Sequence, residues 1–315
     1  MANAPVSNVK AETTPRPVRT VGFIGLGVMG EPMCRNLARK MQETAATGLY
    51  AFDLREEPVA RLAEDGAQAA SSPRALAAAS DLVFLSLPSG KQVAEVMSAD
   101  GGIREALRPG SIVVDLSTTP VALTRDLARE LDEGGIAWVD APIARTRQAA
   151  EDGTLAIMVG GADAAVAIVE PFLRCFATDI TRCGAVGAGQ IVKILNNLVL
   201  FQTIQGISEA LNIARANGLE GEVLFDAFQK GSADSFALRN HGLKALLPGT
   251  FPEQAFSVAY ARKDLAYALD LAHEAGLDAA GARAVDARFA QAIEQGAGDR
   301  YWPVIGETMT VTDKG

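Results

Sequence analysis

The stretch GFIGLGVMG sets Gly25, Gly27 and Gly30 in the spacing G-x-G-x-x-G. It follows an apolar run, TVGFI, and opens a segment whose residues Met29, Met33, Leu37 and Met41 share one helical face. Each glycine has its own task in such a turn. The first permits a sharp reversal at the strand end, the second lets the backbone approach a pyrophosphate, and the third lets helix and strand pack closely. The loop residues Leu26, Val28 and Met29 then lead into a helix start, where free N–H groups favour an anion. A second apolar run, LYAF, ends in Asp53. A carboxylate there either accepts both ribose hydroxyls of NAD and repels a 2′-phosphate, or caps the turn that follows. Arg55 would instead receive the phosphate of NADP, so NAD is the expected cofactor and NADP its competitor.

A second constellation lies in an almost charge-free run. Gln190, Lys193 and Asn197, at spacings of three and four, fall on nearly one face of a helix otherwise built from Ile191, Ile194, Leu195, Leu198, Val199 and Phe201. An apolar helix of this kind is buried, and burying an amide or ammonium without a partner costs several kcal/mol (roughly 2–7). The stripe therefore either forms a satisfied hydrogen-bond network between domains or faces a cleft. In the second case Lys193 is a proton donor and acceptor. Reduction of a carbonyl by hydride needs a proton for the nascent alkoxide, and the reverse oxidation needs one removed. A lysine serves if desolvation and nearby cations lower its pKa from the ordinary value of about 10.4. Asn197 would orient the lysine or hold a substrate hydroxyl.

Such residues need a scaffold that holds a loop and a helix in fixed relation. From Arg19 onward, short apolar runs (TVGFIG, LYAFD, LVFLSLP, SIVVDLS, AWVDAP, LAIMVGG) alternate with helix-length spacers, the pattern of a parallel sheet wound with βαβ units. After Gly184 the strand signal stops and helical sequence continues to about Arg300. The expected organisation is a tail over 1–18, polar and read as disordered, a dinucleotide-binding α/β domain over 19–184, and an all-α domain over 185–315. The sheet should be doubly wound and mostly parallel, with a long helix joining the two domains.

Composition narrows the partners. The 315 residues carry a net charge of −9, which disfavours nucleic acid or an anionic membrane surface. No stretch is long and apolar enough to span a bilayer. Cys34, Cys175 and Cys183 are odd in number and lack ligand spacing, and His241 and His273 have no ligand cluster beside them. No metal site is expected, and a reducing cytoplasm is the expected home. Each histidine is read as a partly exposed helix or loop residue. Trp302 is read as a residue without a special role, or as one that lines the cleft and trims substrate length.

Taken in order, GFIGLGVMGEPMCRNL, SLPSGKQV, DLSTTP, DAPIARTRQAAEDGTLAIMVGG, GAVGAGQIVKILNN and FSVAYARKDLAYAL resemble the β-hydroxyacid dehydrogenase family, the 3-hydroxyisobutyrate dehydrogenase-like enzymes, over about residues 20–300. The resemblance implies a Rossmann domain, a long connecting helix, and a helical domain that assembles through that helix into a homodimer or homotetramer. It places the catalytic lysine on Lys193. It places cofactor contacts on the 25–30 loop, Leu87, Pro88, Gln92 and Thr118, and on Lys263 of KDL. It places a substrate contact on Ser117.

One departure bears on substrate. Where many relatives carry DAPVSGG, this chain has DAPIART, so Arg145 and Thr146 replace a glycine pair whose N–H groups usually cradle a carboxylate. A guanidinium offers a rigid fork of donors for an oxyanion and stays charged at any relevant pH. The loop is similar to that of sulfolactaldehyde reductase in the same family. Arg145 is accordingly expected to bind the terminal anion of a small hydroxy acid or hydroxysulfonate, with Thr146 adding a hydroxyl contact. The other reading of Arg145 is a surface ion pair. Arg147 is expected to face solvent or pair with Glu151. Two rivals share the fold: an imine-reducing enzyme, disfavoured by the presence of Lys193, and a non-catalytic dinucleotide-binding module, disfavoured by the intact glycine loop.

Overall fold

The computed structural model describes residues 16–98, 101–253 and 255–309. Residues 1–15 of the expected tail lie outside them. Residues 16–18 are held in place: the Arg16 N–H donates to the Gly110 carbonyl at 3.2 Å, and Val18 is buried. The chain forms two compact units, Met1–Lys193 and Ile194–Gly315.

The first unit is an α/β layer structure. Its strands are β1 (Thr20–Ile24), β2 (Gly48–Phe52), β3 (Gln68–Ala69), β4 (Leu82–Leu85), β5 (Ile112–Asp115), β6 (Ala137–Asp140), β7 (Ile143–Ala144), β8 (Leu155–Gly160) and β9 (Ala177–Gly184). They form one sheet in the order β3-β2-β1-β4-β5-β6-β8-β7, with β9 against β8. From β3 to β6 every pairing is parallel, while β6–β8 and β7–β8 are antiparallel. Both faces are covered, which explains why the central strands read as unbroken apolar runs. Alternate side chains serve the two faces: Phe23, Phe84 and Val114 join one core with Met33 and Leu37. Ile24, Val83 and Val113 join the other with Leu76 and Trp138. The chain order reverses between β1 and β4, the crevice where open α/β sheets hold ligands.

The long helix Ala188–Ala216 begins after β9 and runs into the second unit. That unit is helical, with helices Gly221–Lys230, Val258–Glu274 and Ala280–Glu294. A π-helical segment, Leu238–Leu246, and a 3-10 segment, Trp302–Thr308, complete it. Its core is aromatic. Phe201 packs edge-on against Trp302 and Phe289 at ring-centroid distances of 4.9 and 5.4 Å. Trp302 is fully buried there and lines no cleft, because its ring fills the space between Phe201, Phe289 and Tyr301. His241 is also buried rather than partly exposed: it sits on the π-helical segment against Trp302, with Nδ1 bonded to the Tyr301 hydroxyl. Burial lowers its pKa to about 4. His273 is exposed, as expected.

Candidate functional site

The carboxyl ends of β1, β2, β4 and β5 bring most of the expected cofactor contacts to one edge of the sheet. At the end of β1, Gly25 adopts φ +95°, and a Cβ on it would stand 2.2 Å from the Ser86 carbonyl oxygen. Gly30 is equally constrained, since its Cβ would lie 2.0 Å from the Gly25 oxygen. Gly27 differs. A Cβ there would meet nothing within 4 Å, so its backbone faces open space. The helix Gly30–Lys40 that follows has no side-chain cap. This is a cradle whose N–H groups are open to a pyrophosphate, and the residues present fit a dinucleotide. Leu26 is buried beneath it, whereas Val28 is exposed at its rim and Met29 is half-buried.

Asp53 follows β2 and bonds to the loop itself. The Leu26 N–H donates to its Oδ2 at 2.6 Å, and the Arg55 N–H and Nε donate to Oδ1 at 2.9 and 3.2 Å. Arg55 also donates from Nη2 to the Leu26 carbonyl at 3.0 Å, so its guanidinium is folded onto the acid rather than extended. Next along the edge, the Leu87 N–H donates to Ser117 Oγ at 2.9 Å, which ties the end of β4 to the end of β5. Pro88 is exposed and Thr118 half-buried beside this junction. Gln92 accepts from the Ser89 hydroxyl in the first turn of the helix Gly90–Met97.

Beneath this edge lies a buried polar network that sequence reasoning missed. Asp115 and Asp140 end β5 and β6 and stand opposite each other in the sheet register. Asp115 accepts from the Ser117 N–H at 2.9 Å and from the Thr119 hydroxyl at 2.6 Å, yet burial still raises its carboxyl to about 6. Asp140 accepts from the N–H groups of Gly187 and Gln190 at 2.7 and 2.9 Å, and burial raises its pKa too. The Gln190 side chain completes the set. Its Oε1 accepts from the Thr119 N–H at 3.1 Å, and its Nε2 donates to the Ser117 carbonyl at 2.8 Å. Of the polar stripe on the long helix, Gln190 is thus an anchor. Lys193, one turn on, is half-buried.

Arg145 lies after β7. It is the one non-glycine residue at positive φ (+87°) among the described residues. The loop therefore keeps the left-handed backbone that glycine adopts freely, at a cost of about 1–2 kcal/mol for an L-residue. Its guanidinium turns back along the sheet: Nη1 donates to the Thr154 carbonyl and Thr178 Oγ1 at 2.6 and 3.1 Å, and Nη2 lies 2.7 Å from Asp179. Thr146 is exposed and caps the short helix Arg147–Glu151 through the Ala149 N–H at 3.4 Å. Arg147 pairs with Glu151 at 2.8 Å, as the spacing suggested.

In the second unit, Asn197 is buried and its Nδ2 donates to Asp264 Oδ2 at 2.8 Å. Lys263 Nζ lies 3.0 Å from the other oxygen of Asp264 and over the rings of Tyr260 and Tyr267 at 5.0 and 5.5 Å. The family resemblance singled out the lysine of KDL, whereas its neighbour Asp264 is the buried hub of this cluster. Among the described residues no group of histidine, cysteine and carboxylate side chains could hold a metal. No helix among the described residues is long and apolar enough to cross a membrane.

Comparison with known proteins agrees with this geometry. Residues 20–185 match the family described as the NAD binding domain of 6-phosphogluconate dehydrogenase. Residues 187–301 match the one described as NAD-binding of NADP-dependent 3-hydroxyisobutyrate dehydrogenase. A 2-(hydroxymethyl)glutarate dehydrogenase of Eubacterium barkeri is 38% identical over 254 residues, covering 81% of this chain and 82% of that protein. A 2-hydroxy-3-oxopropionate reductase of Escherichia coli is 35% identical over 259 residues, covering 82% and 86%. The structure of a Mycobacterium tuberculosis 3-hydroxyisobutyrate dehydrogenase with L-serine superposes with a TM-score of 0.80 at 28% identity, over 93% of this chain and 99% of that one. With the glycine cradle, the acid after β2 and these matches together, the chain belongs to the β-hydroxyacid dehydrogenase family of NAD(P)-dependent oxidoreductases that act on CH–OH groups.

Proposed function

We propose that this chain interconverts a short hydroxy acid or hydroxysulfonate and its carbonyl partner, with Lys193 as general acid and base. The bound nicotinamide dinucleotide supplies or accepts the hydride. Lys193 handles the accompanying proton at Nζ: in oxidation the unprotonated amine takes the proton of the substrate hydroxyl, and in reduction the ammonium returns it to the new alkoxide. The observation that carries this reading is the anchoring of the helix that bears Lys193. Its first turn is bonded to the ends of two adjacent strands, by Asp140 at 2.7 and 2.9 Å and by Gln190 at 2.8 and 3.1 Å. General acid–base chemistry requires a group held in place to within a fraction of an ångström.

Asn197, locked to Asp264, presents its amide in one orientation and holds the substrate hydroxyl or the lysine. Ser117 contributes at the β5 end, beside Thr118. Arg145 is the proposed contact for the substrate's terminal anion, with Thr146 beside it. Its present partners engage two of its three nitrogens. NAD is the preferred dinucleotide. Supporting this is an acid at the end of β2, Asp53, with Arg55 bonded to it, since a carboxylate at that place in such a domain disfavours a 2′-phosphate.

The test is a panel of two- to four-carbon hydroxy acids, hydroxysulfonates and their aldehydes, assayed with NAD(H) and NADP(H). Turnover of an anionic member with NAD preferred is the expected result. Turnover of neutral alcohols alone, or of imines alone, contradicts it.

A further inference from the structure

We infer that Asp140 is a positioning residue for Lys193: a carboxylate at the end of β6 that supplies, across 47–50 residues of chain, the cap the long helix cannot supply for itself. The inference rests on the reading of Lys193 given above. The sequence leading into the helix, GAVGAGQ, holds no serine, threonine, aspartate or asparagine. Such a helix start leaves its first N–H groups unsatisfied, and inside a protein that cost must be met by some other group. Asp140 meets it, with Oδ1 on the Gly187 N–H at 2.7 Å and Oδ2 on the Gln190 N–H at 2.9 Å.

The fit leaves no slack. A Cβ at Gly160 would stand 2.7 Å from both carboxylate oxygens, and one at Gly189 would stand 2.8 Å from Oδ2. The two glycines are therefore there to let strand and helix backbones close around the acid. Asp140 is fully buried and belongs to β6, which the sheet holds on both sides. Rotation or axial slip of the helix start would break both bonds at once. Lys193 follows Gln190 by three residues, less than one helical turn, so any such slip is passed to its side chain almost undiminished.

The experiment compares Asp140→Asn with wild type and with Lys193→Met in the full chain, reading kcat, KM, the dinucleotide Kd and the pH profile of kcat/KM. The amide keeps the shape of the carboxylate but turns an N–H₂ toward one of the two N–H donors. The expected result is a kcat lower by about 10- to 100-fold, with KM and Kd within about twofold of wild type. The limb of the pH profile that reports Lys193 also moves. A purely structural role would lower the melting temperature and leave kcat and that limb where they are, which overturns the inference. Should Asp140→Asn not fold, Asp140→Ser decides, since its smaller hydroxyl brings in no N–H₂ and can accept from only one of the two N–H groups. A fall in kcat with the same limb displaced supports positioning, and an unchanged profile rejects it. The Lys193→Met arm separates the two levels. If that variant turns over like wild type, the reading of Lys193 itself fails; if it is inactive while Asp140→Asn behaves as wild type, only Asp140 loses its role.

Discussion

Arg145 and Asp179 face each other across 2.7 Å, so the cation in the loop after β7 comes with its own counter-charge. Thr178 and then Arg145 hold the Asp179 carboxyl below the usual carboxylate range. An ion pair this exposed is a weak tether, and on the proposed role of Arg145 an incoming anion would compete for the same guanidinium. Asp179→Asn is therefore expected to lower KM for an anionic substrate by about 3- to 10-fold with kcat unchanged, and Arg145→Gly to raise KM by about 10-fold or more. Steady-state kinetics on both variants checks this. KM values that move together in one direction, or that stay fixed, remove Arg145 from the substrate site.

Gly27 and Gly30 should fail in different ways. Gly30→Ala forces a methyl to 2.0 Å from the Gly25 oxygen, and backbone cannot yield there cheaply. This variant should lose both melting temperature and dinucleotide binding. Gly27→Ala meets nothing in the protein and should melt like wild type. Its methyl instead stands where the pyrophosphate must approach, so NAD(H) affinity should fall by about 10-fold or more. Paired melting curves and cofactor titrations separate the two outcomes. Full affinity in Gly27→Ala would show that the dinucleotide does not lie on this loop.

Much of this was open to sequence reading because it depends on local pattern. The central strands β1, β2, β4, β5, β6 and β8 each follow an unbroken apolar run, and the glycine spacing marks the turn at the end of β1. The two-residue strands β3 and β7 and the mostly exposed β9 carry no such run, and pairing decides them instead, β3 with β2 and both β7 and β9 with β8. Asp140 and Asp115 were illegible for another reason: their partners lie on other elements, and an aspartate ending a strand looks the same whether it is solvated or buried. The usable signal was indirect, a long helix with no capping residue ahead of it. His241 and Trp302 depend on how several separate segments pack, which periodicity does not encode.

Asp115 gives the stability a pH dependence of definite sign. Burial raises its carboxyl from 3.8 to about 6, so the folded chain holds this proton more tightly than the unfolded one. The contribution is complete below 3.8 and is lost as pH rises through 6. Across that window the loss amounts to about 3 kcal/mol at most. Urea denaturation of wild type and Asp115→Asn at pH 5, 6 and 7 should show the wild type losing ground against the variant as pH rises. A difference that is flat, or that grows in the opposite direction, refutes the shift.

The proton-transfer claim is met most directly by Lys193→Arg, which keeps a cation on the helix but one that cannot surrender its proton at any working pH. With the NAD(H) dissociation constant measured alongside, kcat for hydroxy-acid oxidation should drop by about 10²- to 10⁴-fold while cofactor affinity stays within about twofold. Turnover within about tenfold of wild type would mean that charge alone suffices at this position, and that the substrate's proton leaves by another route.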